Sequence, residues 1–201
     1  AGLASACLGS ACATPPGDGA AAIRDADITF LAAEAPPPDG AAWTPITLPD
    51  DWSRRQPRVG GSAWYRLRFQ VGDDARRDGV LALYVPRVNM VGTPFVNGAP
   101  VGRAHRFEEP VTRLWYRPQL YWVPAALLTP GENILHYRIH AYPDSQGGLS
   151  EVWIGPGASL ERLWRTHVFR QLTAMQITTG VTAMLEPYRP AVADPGEAEI
   201  P

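Results

Sequence analysis

The sequence predicts an all-β fold, a jelly-roll β-sandwich that is followed by a C-terminal amphipathic helix. Three observations predict it. Between residues 41 and 156, short apolar runs are separated by the turn-forming residues Pro, Gly, Asn and Asp, a pattern typical of an all-β domain. One of these runs alternates apolar and polar residues with a period of two, as a half-buried strand does. After residue 157 the apolar spacing changes to that of a helix.

The first strands are predicted from periodicity. Residues 63–71 place one set of side chains on a buried face, namely Ala63, Tyr65, Leu67, Phe69 and Val71. The alternate positions form a more polar face, namely Trp64, Arg66, Arg68 and Gln70. Residues 80–85 are apolar on both faces, which is typical of a central strand.

The later strands are predicted from turn signals. Residues 93–101 contain Asn97-Gly98, a strong hairpin signal because both residues tolerate positive φ. A turn at residues 130–133 leads into a strand at 134–141, and shorter strands are predicted at 120–123 and 151–154. Seven or eight short strands of this kind predict a sandwich or jelly roll over residues 41–156.

A connecting helix is predicted over residues 157–185, with Ser159 as its N-cap. Its apolar face follows i, i+3, i+4 spacing through Leu160, Leu163, Trp164, His167, Val168, Gln171, Leu172 and Met175. The end of this segment is uncharged but shorter than the roughly 20 apolar residues of a membrane span. It is either the beginning of such a span or a buried helix end. Residues 186–201 are expected to be a disordered tail.

The N-terminal residues 1–13 are similar to a secretory signal, with Ala11-Cys12-Ala13 as a cleavage site. The alternative is a disordered leader rich in Ala and Gly. Residues 14–40 are predicted to be a linker or N-terminal extension. Both cysteines, Cys7 and Cys12, lie in the leader, so a matured protein would hold no disulfide and no Cys-ligated metal. The leader predicts an exported domain.

The 201 residues carry a formal net charge of −2, and 45% of them are apolar. These values suit one domain with its own core and exclude a collagen or a coiled coil. All 18 basic residues are Arg, and residues 52–117 carry a local charge of +7. The near-neutral total argues against a nucleic-acid partner.

No catalytic or cofactor-binding motif is found, so we expect neither an enzyme active site nor a cofactor or metal. His136 and His140 fall four residues apart on a predicted strand, about 13 Å, which is too far for one ion, and we expect them on the strand surface. The acid pairs Asp50-Asp51, Asp73-Asp74 and Glu108-Glu109 are neighbours in turns, and we expect solvated loop charges.

Two segments combine Arg with aromatic or amide groups where strands meet loops. They supply a candidate rim that consists of Arg87, Asn89, Arg113, Trp115, Tyr116 and Arg117. Arg binds carboxylates and phosphates through paired hydrogen bonds, and Trp or Tyr can stack on a planar ligand or a sugar ring. The rim therefore suits a small polar or anionic ligand or a sugar, although such residues also cap cores and tie loops together.

Several motifs in order resemble the sugar-binding jelly-roll domain of family 2 glycoside hydrolases: Trp43 with Leu48-Pro49-Asp50-Asp51-Trp52, Gly61-Ser62-Ala63-Trp64-Tyr65-Arg66, Phe95-Val96-Asn97-Gly98 and Leu128-Thr129-Pro130-Gly131-Glu132-Asn133. Three more segments make the set more similar to the extracytoplasmic sensor domain of bacterial membrane-bound histidine kinases: Leu83-Tyr84-Val85-Pro86-Arg87, Arg113 with Arg117-Pro118, and Gly148-Leu149-Ser150 with Ile154-Gly155-Pro156. Those sensors carry a galactose-binding-like module.

The resemblance implies a periplasmic, ligand-sensing module that is not catalytic by itself. It further implies tethering to the inner membrane through a following transmembrane segment and a possible homodimer in the intact receptor. The alternative is an accessory carbohydrate-binding domain of a glycoside hydrolase. A third hypothesis is a docking protein, which requires Trp64, Trp122 and Trp153 to expose a contiguous apolar patch.

Overall fold

The computed structural model describes residues 19–55, 60–72, 80–102, 117–142 and 147–170. Within these ranges the strands are Ala21–Ile23 (β1), Asp25–Phe30 (β2), Thr44–Thr47 (β3), Asp50–Asp51 (β4), Gly61–Val71 (β5), Leu81–Val85 (β6), Val88–Asn89 (β7), Val91–Val96 (β8), Ala99–Pro100 (β9), Gln119–Val123 (β10), Gly131–Ala141 (β11), Gly148–Leu149 (β12) and Val152–Pro156 (β13). The helices are Trp52–Arg55 (α1) and Gly157–Val168 (α2), with a 3-10 turn at Ala125–Leu127. The prediction of an all-β sandwich followed by one helix is confirmed.

Two antiparallel sheets form the sandwich. One has the order β1-β13-β6-β10, and the other has the order β3-β2-β5-β11-β8-β9. Their facing side chains form the main core, which includes Leu83, Val85 and Val152 from the first sheet and Tyr65, Leu67, Leu135, Tyr137 and Ile139 from the second. Burying this apolar surface is the main force that holds the sheets together. A small third sheet, β4-β12-β7, joins the loops at one end.

The central strand and the hairpin are confirmed. All five residues of β6 are buried, because this strand lies inside its sheet and is covered on both faces. The hairpin between β8 and β9 turns at Asn97 and Gly98, whose φ angles are 48° and 86°. Both lie in the left-handed region that the Asn-Gly pair tolerates.

The sandwich begins earlier than residue 41. Residues 21–30, predicted to lie in the extension, form β1 and β2, and β2 pairs with β3 and β5. In β2 the buried Ala26 and Ile28 alternate with the acidic Asp25 and Asp27. Asp27 lies on the outer face, where Arg66 balances its charge. An acidic strand is therefore compatible with this position.

The outer face of β5 is less polar than its sequence predicts. Trp64 is fully buried, and Arg66 is only 8% exposed. The chain between β2 and β3 brings Asp39 and Trp43 against this face. Arg66 forms an ion pair of 3.2 Å with Asp39, and its guanidinium lies 4.4 Å from the Trp43 ring centroid. This segment covers the outer face of β5 and so buries Arg66. The periodicity of β5 alone cannot indicate such a cover.

Helix α2 covers the outer face of the four-stranded sheet and forms a second small core. Its Leu160 is buried against Ala82, Tyr84 and Trp153 of β6 and β13. The helix begins at Gly157 with Pro156 as its N-cap, three residues before the predicted N-cap Ser159. A side chain at Gly157 would overlap the Trp122 ring, so the close approach of the helix to β10 requires glycine there. Among the described helices, none has the length and apolar character that crossing a membrane requires.

Candidate functional site

Strands β6 and β10 bring two residues of the candidate rim to one end of the four-stranded sheet. These strands are antiparallel, and Val85 pairs with Gln119 as the last residues of their ladder. Arg87 follows Val85 by two residues, and Arg117 precedes Gln119 by two. Arg87 and Arg117 therefore lie at the same end of two adjacent strands, and both residues are exposed.

Backbone contacts fix Arg87 and its neighbour Asn89. The Arg87 amide donates to Ser150 Oγ at 3.0 Å, and the Ser150 amide donates to the Arg87 carbonyl at 3.0 Å. Asn89 pairs with Gly148 in the three-stranded sheet. Within the described part of the chain, neither Arg87 nor Arg117 uses its guanidinium in a hydrogen bond or ion pair. A fixed backbone with an uncommitted cation is an arrangement that can bind an anionic or polar group.

Three members of the candidate rim, Arg113, Trp115 and Tyr116, lie outside the described residues. The structure therefore places Arg87, Asn89 and Arg117, and the contribution of the other three stays a prediction. Sequence reasoning missed Ser150, which holds the Arg87 backbone in place. A lone serine carries no sequence signal for this role.

A buried hydrogen-bond chain supports the same end of the sandwich. The Trp52 indole donates to Tyr65 Oη at 2.7 Å, and Tyr65 Oη donates to Asp50 Oδ2 at 2.7 Å. Asp51 Oδ1 accepts from the Ser53 amide at 3.0 Å. The expectation of a solvated loop charge is therefore wrong for Asp50, whose carboxylate accepts from the buried Tyr65 hydroxyl. The Asp51 side chain is 36% exposed, and its bond to Ser53 lies at the surface.

Helix α2 is joined directly to the rim. Trp164 Nε1 donates a 3.0 Å hydrogen bond to the carbonyl of Pro118, the residue that follows Arg117. A second contact is a hydrogen bond between Tyr84 Oη and His167 Nδ1. The helix thus contacts the two strands, β6 and β10, that carry Arg87 and Arg117.

The Tyr84–His167 pair is held in its neutral form. Burial raises the pKa of the Tyr84 hydroxyl, and the charge of Glu151 raises it further. Burial lowers the pKa of His167, Arg170 lowers it too, and Glu151 opposes both. A neutral imidazole nitrogen can accept a hydrogen bond from the tyrosine hydroxyl, so the contact is suited to neutral pH.

His136 does not lie on the strand surface as expected. It is 8% exposed and packs near Trp43 and Trp64, with ring centroids 5.8 and 6.5 Å away. Burial lowers its pKa, and the charge of Arg66 adds to the effect. His140, four residues along β11, instead has its Nδ1 3.1 Å from Ser62 Oγ. The two imidazoles are thus in separate surroundings, and in the described ranges no three His, Cys, Asp or Glu side chains form a possible metal site.

The three tryptophans of the docking hypothesis do not form a shared surface. Trp64 and Trp153 are buried at 0% and 4% exposure, and Trp122 is 46% exposed. Trp64 packs beneath Phe95 and His136 on the six-stranded sheet, whereas Trp153 lies under helix α2. The contiguous apolar patch that this hypothesis requires is therefore absent from these three residues.

Similar architecture is found in several solved structures. A glycosyl hydrolase family 2 member from Bacteroides cellulosilyticus aligns with a TM-score of 0.52 and 18% identity, over 68% of this chain and 20% of that chain. β-Glucuronidase from Ruminococcus gnavus, in complex with N1-substituted uronic isofagomine, aligns with a TM-score of 0.54 and 14% identity, over 68% and 29%. A family 2 β-galacturonidase from Eisenbergiella tayi, bound to glycerol, aligns with a TM-score of 0.50 and 18% identity, over 68% of this chain and 24% of that chain.

The chain shares its fold with part of the family 2 glycoside hydrolases. At these identities the likeness shows the β-sandwich architecture, and the alignments span less than a third of each hydrolase chain. No family model matches the sequence, and no curated protein matches it either.

Proposed function

We propose that this domain is a non-catalytic module that binds a small polar ligand at the candidate rim. We further propose that it serves as the periplasmic sensor of a membrane-bound histidine kinase. The observation that carries the proposal is the hydrogen bond from Trp164 to the Pro118 carbonyl, which joins the helix to the residue next to Arg117. Tethering to the inner membrane through a following span, and a homodimer in the intact receptor, belong to the same proposal.

The mechanism is a shift between two arrangements of sandwich and helix. A ligand that binds Arg87 and Arg117 across the end of β6 and β10 fixes the spacing of those two strand ends. Since Trp164 contacts the β10 end and His167 contacts β6, the ligand favours the arrangement in which both contacts of α2 are made. The signal can be no larger than the difference between the ligand's affinities for the two arrangements.

The ligand class follows from the chemistry of the rim. Two exposed guanidinium groups at one end of the sheet favour carboxylates, phosphates or polar sugars, which accept paired hydrogen bonds. Asn89, half-buried in the adjacent sheet, can supply an amide donor and acceptor.

A thermal-shift screen of the full chain tests the proposal, with sugars, carboxylates and phosphorylated metabolites as probes. Specific binding raises the melting temperature. Arg87→Ala and Arg117→Ala should abolish the shift and leave the unliganded melting temperature nearly unchanged. Arg162→Ala, an exposed arginine on α2, is the matched control. If either rim variant unfolds the domain, these arginines anchor the fold rather than bind a ligand.

The output step needs its own measurement. Hydrogen exchange at the amides of α2 should slow when the ligand is added to the wild type, and this response should vanish in Trp164→Phe while binding remains. Reading the coding sequence on the 3′ side tests the receptor assignment. A reading frame that ended at Pro201 with no span or kinase transmitter would overturn it.

An accessory carbohydrate-binding domain of a glycoside hydrolase is a second candidate, which the shared sandwich fold favours. It predicts binding to sugars and no response of α2 to the ligand. A catalytic domain encoded in the same reading frame would support it over the receptor.

A further inference from the structure

A groove of about 820 Å³ lies at the other edge of the sandwich, where the chain crosses from one sheet to the other. Strand β1 belongs to the four-stranded sheet and β2 to the six-stranded sheet, and Arg24 joins them. The volume lies within the range of small-molecule sites, about 300–1,000 Å³. Arg87 and Arg117 of the candidate rim flank β6 and β10, which lie two and three strands from β1, about 10 and 14 Å away. The groove is therefore distinct from the rim.

Four polar side chains line the groove and are exposed: Arg24, Asp25, Thr47 and Gln70. Within the described part of the chain, none of the four makes a side-chain hydrogen bond or ion pair. They come from three neighbouring strands and the β1–β2 junction. Asp25 pairs with Thr47 in the β2–β3 ladder, which places these two side by side at the wall. The groove thus holds donors and acceptors that the fold does not use.

The remaining charges of the wall are already balanced. Asp27 Oδ2 lies 2.9 Å from Arg66 Nη2 and 3.2 Å from Arg68 Nη1. Asp39 Oδ1, 3.2 Å from Arg66 Nη1, supplies a second carboxylate, so two carboxylates balance two guanidinium groups and a ligand would meet a cluster without net charge. The uncommitted groups, Arg24 and Asp25, carry opposite charges and cancel. The wall therefore offers no net attraction to an anion or to a cation.

The groove also has an apolar side, to which Ile23, Ala26, Ile46, Phe69 and Ile154 contribute. Apolar side chains in such a groove favour the C–H surfaces of a ligand. Carboxylate, amide, hydroxyl and guanidinium groups at its wall can each accept from or donate to hydroxyl groups. We infer that this groove binds a neutral, hydroxyl-rich ligand of the saccharide class, at a site separate from the candidate rim.

An NMR titration of the full 201-residue chain tests this inference, because amide shifts report weak binding and locate it. The neutral probes are D-glucose, D-galactose, D-mannose, maltose, lactose and cellobiose, and the charged probes are D-glucuronate and D-glucosamine. At least one neutral sugar should shift the amides of β1, β2 and β3. The charged probes should bind at least 3-fold more weakly than their neutral parent.

Substitutions separate this site from the rim. Asp25→Ala and Gln70→Ala should each raise the dissociation constant of the neutral sugar about 10-fold, whereas Arg87→Ala should leave it unchanged. Both substituted side chains are exposed, so the variants should fold, and their unliganded spectra check this. The groove site is overturned if no neutral sugar binds or if binding survives both substitutions. It is also overturned if Arg87→Ala abolishes the shifts, in which case the rim is the sugar site. If the groove substitutions have no effect on sugar binding, the groove site is wrong, and the proposal of a ligand site at the candidate rim is unaffected.

Discussion

The indole Nε1 of Trp164 in helix α2 donates a hydrogen bond of 3.0 Å to the backbone carbonyl of Pro118. Pro118 is buried and immediately precedes β10, at the end of the sheet where Arg117 is exposed. One bond therefore connects the outermost layer of the domain to a candidate ligand-binding segment. A change at either end can be transmitted to the other through it.

Trp164→Phe removes that donor and keeps an aromatic ring against the sheet. The buried Pro118 carbonyl then loses its partner, so we expect the free energy of unfolding to fall by about 1 kcal/mol. Hydrogen exchange at the α2 amides should also quicken. Urea denaturation and exchange mass spectrometry measure the two effects. Arg162→Ala, at an exposed position of α2, is the control and should change both much less. Equal effects in the two variants would contradict the role of the hydrogen bond.

Tyr65→Phe interrupts the chain that runs from Trp52 through Tyr65 to Asp50. The buried Trp52 indole loses its acceptor, and Asp50 loses a donor. We expect a loss of about 1–3 kcal/mol in the free energy of unfolding, because one buried donor is left unsatisfied. Tyr121→Phe is the comparison, since its hydroxyl lies 3.3 Å from another hydroxyl, that of Tyr137. Chemical denaturation of both variants should show the larger loss for Tyr65→Phe. The reverse order would show that the chain contributes little.

Arg66→Lys tests whether the shape of the guanidinium group matters. Arg66 donates from Nε and Nη2 to Asp27 Oδ2 at 3.1 and 2.9 Å, and from Nη1 to Asp39 Oδ1 at 3.2 Å. A lysine ammonium cannot reproduce this fork or its stacking on Trp43. We expect the variant to lose about 1–2 kcal/mol of stability, because the pair is largely buried.

The control for Arg66→Lys is Arg165→Lys, whose exposed pair with Glu161 on α2 should contribute at most about 0.5 kcal/mol. Thermal denaturation of the two variants gives the comparison. If Arg66→Lys were no more destabilising than Arg165→Lys, charge alone, and not the geometry of the fork, would set the contribution of Arg66.

Lowering the pH should destabilise the domain through His136. Burial lowers the pKa of this imidazole in the folded state, so the unfolded chain binds more protons. The contribution of the neutral imidazole is then complete above the ordinary histidine pKa of about 6.5 and decreases as the pH falls below it. His167 should act in the same direction, since its pKa is lowered too.

Urea denaturation of the wild type at pH 7.5 and 5.5 measures this effect. The difference in unfolding free energy should be smaller in His136→Gln, and smaller again when His167→Gln is combined with it. A wild type whose stability does not fall over this range would contradict the prediction, as would a His136→Gln variant with an unchanged difference.

Periodicity and turn chemistry were enough to predict most of the sandwich. The strands around β5, β6, β8 and β11 follow from alternation, continuous apolar runs and the Asn97-Gly98 turn, because each signal is local. Strand β2 was missed although Ala26 and Ile28 alternate with Asp25 and Asp27. The partners of Asp27, Arg66 and Arg68, are about forty residues away in the chain, so no local pattern indicates that this acidic segment joins the sheet.

The candidate site was predicted in part. The chemistry of Arg87 and Arg117 predicts a ligand site, and the β6–β10 register places both residues at the same end of the sheet. Whether they bind a ligand stays a prediction. Ser150, Trp164 and the groove were not found, because their roles come from contacts between distant segments and not from residue type.

The sequence alone determined the fold class, the central strand and the presence of a helix after the sheets, because these depend on the spacing of apolar residues along the chain. Only the tertiary structure decided that Trp64 and His136 are buried, that α2 contacts the segment beside Arg117, and that Arg24 and Asp25 share a groove with Gln70. Strand register and the packing of one layer on another determine these features. They bring together residues that lie far apart in the chain, so no local sequence pattern indicates the contact.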